Sequence, residues 1–181
     1  GANPVIRPTG GTGGSDAGFT LAGADYIALD GIDINIASGS SVEYGYYITL
    51  ATATNGAQNN TIQNVKVTLN RSNTSSIGLY QFTTTASSAA GANSGNKYYN
   101  VTIENCYTGI YLNGTSSFPD LNTEIGVISG GSTVIGGSGA NDIANGSNTA
   151  SGIRVSQQQD VKIFNCEVRN VTGTGTNNVM G

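Results

Sequence analysis

Short runs of alternating apolar and polar residues recur along the chain and predict β-strands. One phrase carries an aliphatic residue near its centre and occurs as YIALDGIDI, NTIQNVKV, NVTIENCYT, STVIGGSGA and DVKIFNCEV. A second phrase alternates with it and occurs as YYITL, SIGLY, GIYLN and GIRVS. Within both phrases the apolar residues recur at every second position rather than every 3.6 positions, which is typical of strands and not of helices. We therefore predict an all-β chain.

The central aliphatic residues of the first phrase act as anchors of a repeat. The anchors are Leu29, Ile62, Ile103, Ile135 and Ile163. Short strands that recur along the whole chain, with no helix between them, favour a coiled ribbon. In such a ribbon each strand stacks on its counterpart one turn earlier. We expect the five anchors to form a single buried ladder.

Only glycine or asparagine occurs two residues after each anchor. The residues at this position are Gly31, Asn64, Asn105, Gly137 and Asn165. These two residue types tolerate the left-handed backbone that a sharp bend requires, and stacked asparagine amides can satisfy one another. We expect the three asparagines to stack at one corner of the ribbon.

The two cysteines follow the same phrase, in which isoleucine, any residue and asparagine precede them. Cys106 and Cys166 share their position with Ile32 and Val65, so we interpret both as buried core residues. The turn that carries Ser138 lies between them. Their Cα atoms should therefore be ~9–10 Å apart, too far for a disulfide. A zinc site is not expected either, because the chain has no histidine to complete the ligand set.

Composition and charge narrow the range of partners. The 181 residues suffice for one domain, and we expect residues 1–181 to form a single domain within a longer extracellular protein. The net charge of −4 is unfavourable for a phosphate backbone, so we expect no nucleic-acid partner. No apolar run approaches ~18 residues, so we expect no membrane insertion.

The repeat resembles that of a known superfamily. The asparagine corner, the DYIALDGIDI opening and the alternating NVTIENC and GIYL phrases resemble right-handed parallel β-helix proteins of the pectate-lyase-like superfamily. They are similar in particular to secreted or surface-anchored proteins of Bacteroidetes-type bacteria, many of them exported by the type IX secretion system. The resemblance implies a right-handed parallel β-helix of about five to six turns with irregular loop insertions, located outside the cell or on its surface.

Several activities accompany this scaffold, because a fold does not determine a function. Polysaccharide lyases of the superfamily pair a calcium-binding acidic cluster with a basic residue, and the glycosidases use aspartates with a histidine-containing motif. The absence of histidine leaves the glycosidase pattern incomplete. We expect Asp30 and Glu104 to lie roughly two strand spacings, or ~10 Å, apart. This distance slightly exceeds the separation of the two carboxyl groups in an inverting glycosidase. Asp33 should lie beside Lys66 as an exposed ion pair of small energetic value.

Tyrosine residues in the second phrase provide a candidate binding face. Its outward column reads Thr49, Gly78, Tyr111 and Arg154, with Tyr47 and Tyr80 at adjoining outward positions. Tyrosine rings stack on sugars and arginine adds hydrogen bonds, so these four residues are our candidate glycan site. Tyrosine is also common on exposed strands because of its strand propensity alone.

The function we expect is that of a non-catalytic structural or adhesive module that binds a polysaccharide or cell-surface glycan. It would have no catalytic residues and no resident metal or cofactor. One alternative is a fragment of a polysaccharide lyase, in which case calcium would be the cofactor. Another is a subunit of an extracellular fibre, because the ends of a β-helix present unpaired strand edges to a neighbouring chain.

Overall fold

The computed structural model describes residues 2–37, 39–139, 142–144 and 151–172. Strands make up 45% of the chain and helix only 2%, so the chain is all-β as predicted. A single turn of 3₁₀ helix spans Ala89–Gly91. No helix in the described ranges is long and apolar enough to cross a membrane. The strands are β1 Val5–Ile6, β2 Ala17–Ala22, β3 Ala28–Asp30, β4 Asp33–Asn35, β5 Tyr44–Thr49, β6 Thr61–Thr68, β7 Ile77–Phe82, β8 Lys97–Glu104, β9 Thr108–Asn113, β10 Asp120–Leu121, β11 Glu124–Gly126, β12 Thr133–Ile135, β13 Ser151–Ser156, β14 Gln158–Gln159, β15 Lys162–Ile163 and β16 Cys166–Val168.

The strands pair in parallel in two larger sheets and one short pair. Within the described residues the first sheet has nine strands, in the order β1-β4-β6-β8-β11-β15, with β3 on β6 and with β12 between β8 and β16. The second sheet has five strands in the order β2-β5-β7-β9-β13, and β10 pairs with β14. The paired strands come from neighbouring repeats of the sequence, so both larger sheets extend repeat by repeat.

The anchors do not form one ladder, so that prediction is wrong. Leu29 pairs with Ile62 and Ile103 with Ile135, but the two pairs belong to separate columns of the first sheet. The first column contains Leu29, Ile62, Tyr98, Ile125 and Ile163. The second contains Ile6, Ile34, Val67, Ile103, Ile135 and Val168. Ile163 was expected to be buried but is 46% exposed, because its strand lies at the end of the sheet.

The error arose from one misaligned asparagine. Strands β6 and β8 are long enough to carry both columns, and each bends at an asparagine between them. Val65 pairs with Val101, so the partner of Asn64 is Asn100 rather than Asn105. The amide of Asn100 donates to Asn64 Oδ1 at 2.9 Å. Asn64 and Asn100 therefore stack as a pair, but the predicted stack of Asn64, Asn105 and Asn165 is not formed, because Asn105 is not the partner of Asn64 and the register places Val127 between Asn100 and Asn165.

The backbone at the predicted corner is left-handed, as expected. Gly31, Asn64, Asn105 and Asn165 all have φ between 52° and 67°, but the prediction is wrong for Gly137, since the positive φ falls on its neighbour Gly136. Asn105 lies at another bend, where its amide donates to the carbonyl of Leu69 at 2.6 Å. Asparagine is thus used at more than one corner, which is why the phrase alone could not determine the register.

A second corner has the same backbone but a more varied sequence. Its members all have φ between 56° and 73° and follow one another from repeat to repeat: Tyr26, Asn59, Gly95, Asn122 and Asp160. The backbone N–H of each of the first four donates to a carbonyl of the next repeat, with distances from 2.7 to 3.1 Å. The corner continues through the stack even where its residue type is not the favoured one.

A column of glycines brings the two sheets into close contact. The register of the second sheet aligns Gly18, Gly45, Gly78, Gly109 and Gly152. A β-carbon on Gly78 would lie 2.2 Å from Cγ2 of Ile103 and 2.8 Å from the carbonyl oxygen of Gly109. The second column of the first sheet, which contains Ile103, therefore packs directly on the backbone of the second sheet. We call it the isoleucine column, although it includes Val67 and Val168. Sequence analysis missed the glycine column, and its placement of Gly78 in the outward column with Tyr111 is wrong, because Tyr111 pairs with Tyr80 and a β-carbon on Gly78 would meet Ile103.

The cysteines lie in different columns. Cys106 is fully buried, whereas Cys166 is half-buried beside the end of the first sheet, and both thiols are free. The predictions of unpaired thiols and of a buried Cys106 are confirmed. Cys166 is more exposed than expected, because no described strand follows β16 in its sheet.

Candidate functional site: an aromatic column on the second sheet

The four residues of the candidate glycan site form one column of the second sheet. Strands β5, β7, β9 and β13 pair so that Tyr47 faces Tyr80, Tyr80 faces Tyr111, and Tyr111 faces Arg154. Sequence analysis had assigned Tyr47 and Tyr80 to adjoining positions. The pairing aligns all four because each lies two residues after a member of the glycine column and so occupies the same place in its repeat.

The rings stack on one another along this column. The centroids of Tyr47 and Tyr80 are 5.7 Å apart with planes inclined by 28°. Those of Tyr80 and Tyr111 are 5.2 Å apart and inclined by only 16°. The guanidinium carbon of Arg154 lies 4.4 Å from the centroid of the Tyr111 ring, in cation–π contact. The stack therefore ends in a positive charge.

Two flanking rings widen the stack into a surface. Tyr44 lies 5.0 Å from Tyr80, and Phe82 lies 5.0 Å from the same ring on another side. We call the six side chains the aromatic column: Tyr44, Tyr47, Tyr80, Phe82, Tyr111 and Arg154. Tyr80 is surrounded by rings, which makes it the centre of this surface.

Tyr80 is far less exposed than the sequence predicts. Its residue is only 8% exposed, although its side chain points away from the interior. Burial raises the pKa of the Tyr80 phenol well above its usual range, although a hydrogen bond with Asn113 acts in the opposite direction. Burial also raises the pKa of Tyr44, and the nearby Tyr47 and Glu43 add to this effect. These phenols therefore stay neutral at any physiological pH.

The stacking determines what the surface can offer to a ligand. The neighbouring rings and Arg154 cover the faces of Tyr80 and Tyr111, so a sugar could not lie flat on either ring. Arg154 is exposed, and Tyr47 and Tyr111 are half-buried. The accessible groups are therefore ring edges, phenolic hydroxyls and a guanidinium. Such groups donate and accept hydrogen bonds, and this chemistry suits the hydroxyls of a glycan.

No family model matches the chain, and no match was found among the curated proteins or the solved structures.

The carboxylates singled out from the sequence do not converge. Asp30 accepts hydrogen bonds from Gln63 and Asn64, both at 2.8 Å, and the bond from Asn64 and then that from Gln63 lower its pKa. Asp30 is aligned with Gln63, whereas Glu104 is aligned with Thr68 at the opposite end of the same strand. The candidate pair of Asp30 and Glu104 is therefore not assembled.

Lys66 has a different partner from the one expected. Its ammonium lies 2.7 Å from Oε1 of Glu104, whereas Asp33 accepts a hydrogen bond from the backbone N–H of Lys66 at 2.7 Å. These residues, with Val5 and Thr68, line a shallow groove of about 190 Å³. Its charged groups are already engaged with one another. Within the described residues, no group of three or more His, Cys, Asp or Glu side chains could hold a metal ion.

A polar cluster inside the molecule was not anticipated. Asp120 is fully buried, and its Oδ1 accepts a hydrogen bond from the backbone N–H of Asn93 at 2.8 Å. Its Oδ2 accepts from the amides of Gln81 and Gln158 at 2.8 and 3.0 Å. Gln81 in turn accepts from the hydroxyl of Tyr98 at 2.6 Å. The donors satisfy the buried carboxylate, so this cluster holds the chain together rather than facing a ligand.

The alternation of β7 carried a signal for this cluster. Leu79 faces inward and Tyr80 outward, so the same alternation directs Gln81 inward. Its column neighbours Ile48 and Leu112 are fully buried. A glutamine at such a position needs polar partners in the interior, and these come from residues far along the chain that the local pattern does not reveal.

Proposed function

We propose that this chain is a non-catalytic structural and adhesive module of an extracellular protein, built as a right-handed parallel β-helix. The observation that carries the proposal is the set of side-chain columns that run across successive repeats: branched aliphatic residues, glycines and stacked rings. Such columns use the side chains to connect one repeat to the next. This arrangement suits an elongated spacer better than an enzyme, which needs reactive groups converging in a pocket.

The pairing of the strands supports the proposed β-helix. Each sheet gains strands from successive repeats, always in parallel, and the isoleucine column of one sheet packs on the glycine column of the other. A chain that visits both sheets in every repeat winds as a coil. Parallel strands joined by such crossovers are almost always connected in the right-handed sense, so we assign that hand.

The aromatic column is our proposed contact with glycans. It presents phenolic hydroxyls and the Arg154 guanidinium along one side of the molecule, with Tyr47 and Tyr111 both partly accessible. At Tyr80 and Tyr111 the contact would be edge-on and dominated by hydrogen bonds, because the faces of these two rings are covered. A shallow and hydrated site of this kind binds weakly, and useful affinity would come from several copies acting together.

The test removes hydroxyls without removing rings. In the double variant Tyr47→Phe and Tyr111→Phe the stack remains, so we expect unchanged thermal stability but loss of binding on a glycan array. Tyr26→Phe is the matched control, since Tyr26 is 80% exposed and its ring contacts no member of the column. Alanine is unsuitable at Tyr80, because it would remove the central ring of the stack and destabilise the fold.

Three outcomes separate the possibilities. Loss of binding in the double variant, with the Tyr26 control unaffected, supports the glycan contact. Unchanged binding in the double variant excludes the aromatic column as the contact. Depolymerisation of an acidic polysaccharide by the wild-type chain, with or without added calcium, would overturn the non-catalytic proposal itself.

A further inference from the structure

The buried polar cluster places a hydroxyl group against a carboxamide in the interior of the molecule. Gln81, Thr123 and Asp120 are all fully buried. The side-chain N–H of Gln81 donates to the hydroxyl oxygen of Thr123 at 3.3 Å, and this nitrogen is one bond from the carbonyl carbon of the amide. Threonine hydroxyls act as nucleophiles when a neighbouring group takes up their proton. The cluster therefore holds a nucleophile and an acyl carbon close together.

The carbonyl oxygen of Gln81 accepts two hydrogen bonds. The hydroxyl of Tyr98 donates to it at 2.6 Å, and the amide of Asn96 donates to it at 3.2 Å. Burial, followed by the charge of Asp120, raises the pKa of the Tyr98 phenol well above its usual range, so the phenol stays protonated and remains a donor. Two fixed donors at a carbonyl oxygen stabilise the negative charge that develops there when a nucleophile attacks. The two groups therefore form an oxyanion hole.

The amide nitrogen of Gln81 also contacts the carboxylate of Asp120. It donates to Oδ2 of Asp120 at 2.8 Å, so the same nitrogen contacts both the carboxylate and the hydroxyl of Thr123. An amide nitrogen can leave only after it has gained a proton. A carboxylate stabilises the positive charge that the nitrogen then carries. Asp120 has no ion-pair partner among the described residues, so its charge is available for this role.

A second glutamine in the cluster orients the nucleophile. The hydroxyl of Thr123 donates to the carbonyl oxygen of Gln158 at 3.3 Å. This bond directs the hydroxyl hydrogen away from Gln81, so the lone pairs of the oxygen face Gln81. Gln158 itself is half-buried, and its carbonyl oxygen lacks a donor equivalent to Tyr98 within the described residues. Gln81 is therefore the better acyl group of the two.

We propose that Thr123 and Gln81 form an intramolecular ester, an autocatalytic cross-link between two distant parts of the chain. The hydroxyl oxygen of Thr123 attacks the side-chain carbonyl carbon of Gln81, and a C–O bond forms while the carbonyl oxygen takes up negative charge. The hydroxyl proton passes to the amide nitrogen. The carbonyl then re-forms, the C–N bond breaks and one molecule of ammonia leaves. The reaction consumes no oxidant, reductant or cofactor.

The cross-link would connect the two larger sheets through the interior. Gln81 lies in β7 of the second sheet, and Thr123 immediately precedes β11 of the first. The two residues are 42 positions apart, so the bond closes a loop that contains β8, β9 and β10. Closing such a loop restricts the unfolded chain. The chain reacts once with itself, so the inference is independent of glycan binding at the surface and assigns no turnover of an external substrate.

Mass spectrometry of the purified and denatured chain tests the proposal. We expect the intact mass to be lower than that of the sequence by one ammonia. Trypsin separates the two residues, because cleavage after Arg71, Lys97 and Arg154 places them in fragments 72–97 and 98–154. In the cross-linked protein these fragments should appear as one species, with their summed mass less one ammonia. A succinimide at an asparagine would lose the same mass but leave the fragments separate.

Substitutions at the nucleophile and at the oxyanion hole test the mechanism. Thr123→Val removes the hydroxyl with little change in shape and should restore the full mass, whereas Thr123→Ser keeps a hydroxyl and should still lose ammonia. Thr133→Val is the matched control, because Thr133 is equally buried but its hydroxyl donates to the carbonyl of Gly126. Tyr98→Phe removes one oxyanion donor and should slow cross-linking by roughly 10²–10³-fold in protein sampled at intervals after synthesis.

Folded wild-type protein with the full sequence mass would overturn the proposal. So would separate fragments in protein that has lost ammonia, or loss of ammonia in a folded Thr123→Val variant. A species that joins fragment 98–154 to fragment 155–162 would place the ester at Gln158 and overturn the assignment to Gln81. Circular dichroism establishes that each variant is folded. The result of a glycan-binding assay changes none of these masses, so the two proposals fail separately.

Discussion

Ile103 illustrates how much a single residue contributes at the centre of this molecule. Its side chain is fully buried, and its Cγ2 methyl group packs against the backbone of Gly78. A glycine backbone has no side chain that could move to fill a space left beside it. A cavity at this position would therefore stay largely open, and the cost of truncation should be high.

Replacing Ile103 with alanine should lower the free energy of unfolding by about 2–5 kcal/mol. Urea denaturation followed by circular dichroism measures the change. Thr102→Ala is the control, since Thr102 is adjacent on β8 but faces outward and is half-buried. A loss below ~1 kcal/mol would contradict the packing described here.

Cys106 is a second residue whose role follows from burial. Its side chain is fully buried, and burial raises the pKa of the thiol well above its usual range, although a hydrogen bond with the backbone of Gly78 acts in the opposite direction. The thiolate is the reactive form of cysteine. Cys106 is therefore a core residue and not a nucleophile, which agrees with its interpretation from the sequence.

Among the elements, the glycine column determines how closely the two sheets approach. A β-carbon added at any glycine of this column would lie 2.8 Å or less from an atom of the facing isoleucine column. Their φ angles are not in the left-handed region, so the requirement for glycine is steric and not conformational. Any side chain in the column would force the sheets apart.

Gly78→Ala should therefore destabilise the fold by roughly 1–3 kcal/mol, the usual cost of overpacking a core. Gly13→Ala is the control, because no atom lies within 4 Å of a β-carbon at Gly13. Combining Gly78→Ala with Ile103→Ala removes the clashing methyl group. The two costs should then be clearly less than additive, and strict additivity in the double-mutant cycle would contradict direct contact.

At the scale of the whole molecule, buried tyrosines make the fold sensitive to high pH. Burial is the main cause that raises the pKa of Tyr46, Tyr80 and Tyr98 well above the ordinary value of 10.0, and it raises that of Tyr99 to about 12. A group whose pKa is higher in the folded state stabilises that state fully below its unfolded pKa. The stabilisation is lost as pH rises toward the folded pKa, because the unfolded chain then releases protons that the folded chain retains.

The free energy of unfolding should accordingly be steady below about pH 9 and fall steeply above about pH 10, where unfolded tyrosine ionises. Denaturant midpoints measured across this range, together with the ultraviolet absorbance of tyrosinate, test the prediction. Ionisation of the buried phenols should coincide with loss of structure. Complete titration of all nine tyrosines near their ordinary pKa in a chain that stays folded would contradict it.

The local pattern of residues determined the class of the fold and part of the candidate site. Alternation at period two led to the strands, and the preference of glycine and asparagine for left-handed backbone located the corner at Gly31, Asn64 and Asn165. The outward direction of Tyr47, Tyr80, Tyr111 and Arg154 also followed from alternation. These features depend only on neighbouring residues, and so they can be deduced from the sequence.

Only the tertiary structure determined the register of the strands, the burial of individual side chains and the identity of their partners. The phrase around Asn105 (TIEN) resembles that around Asn64 (TIQN) more closely than the phrase around Asn100 (KYYN) does, and only pairing along the whole of β6 and β8 selects Asn100. In the same way, the covered faces of Tyr80 and the partners of Asp120 depend on residues from other repeats. The pattern of residues along a strand indicates which way a side chain points. The identity of its neighbour depends instead on how many residues each turn contains, and here that number varies from turn to turn.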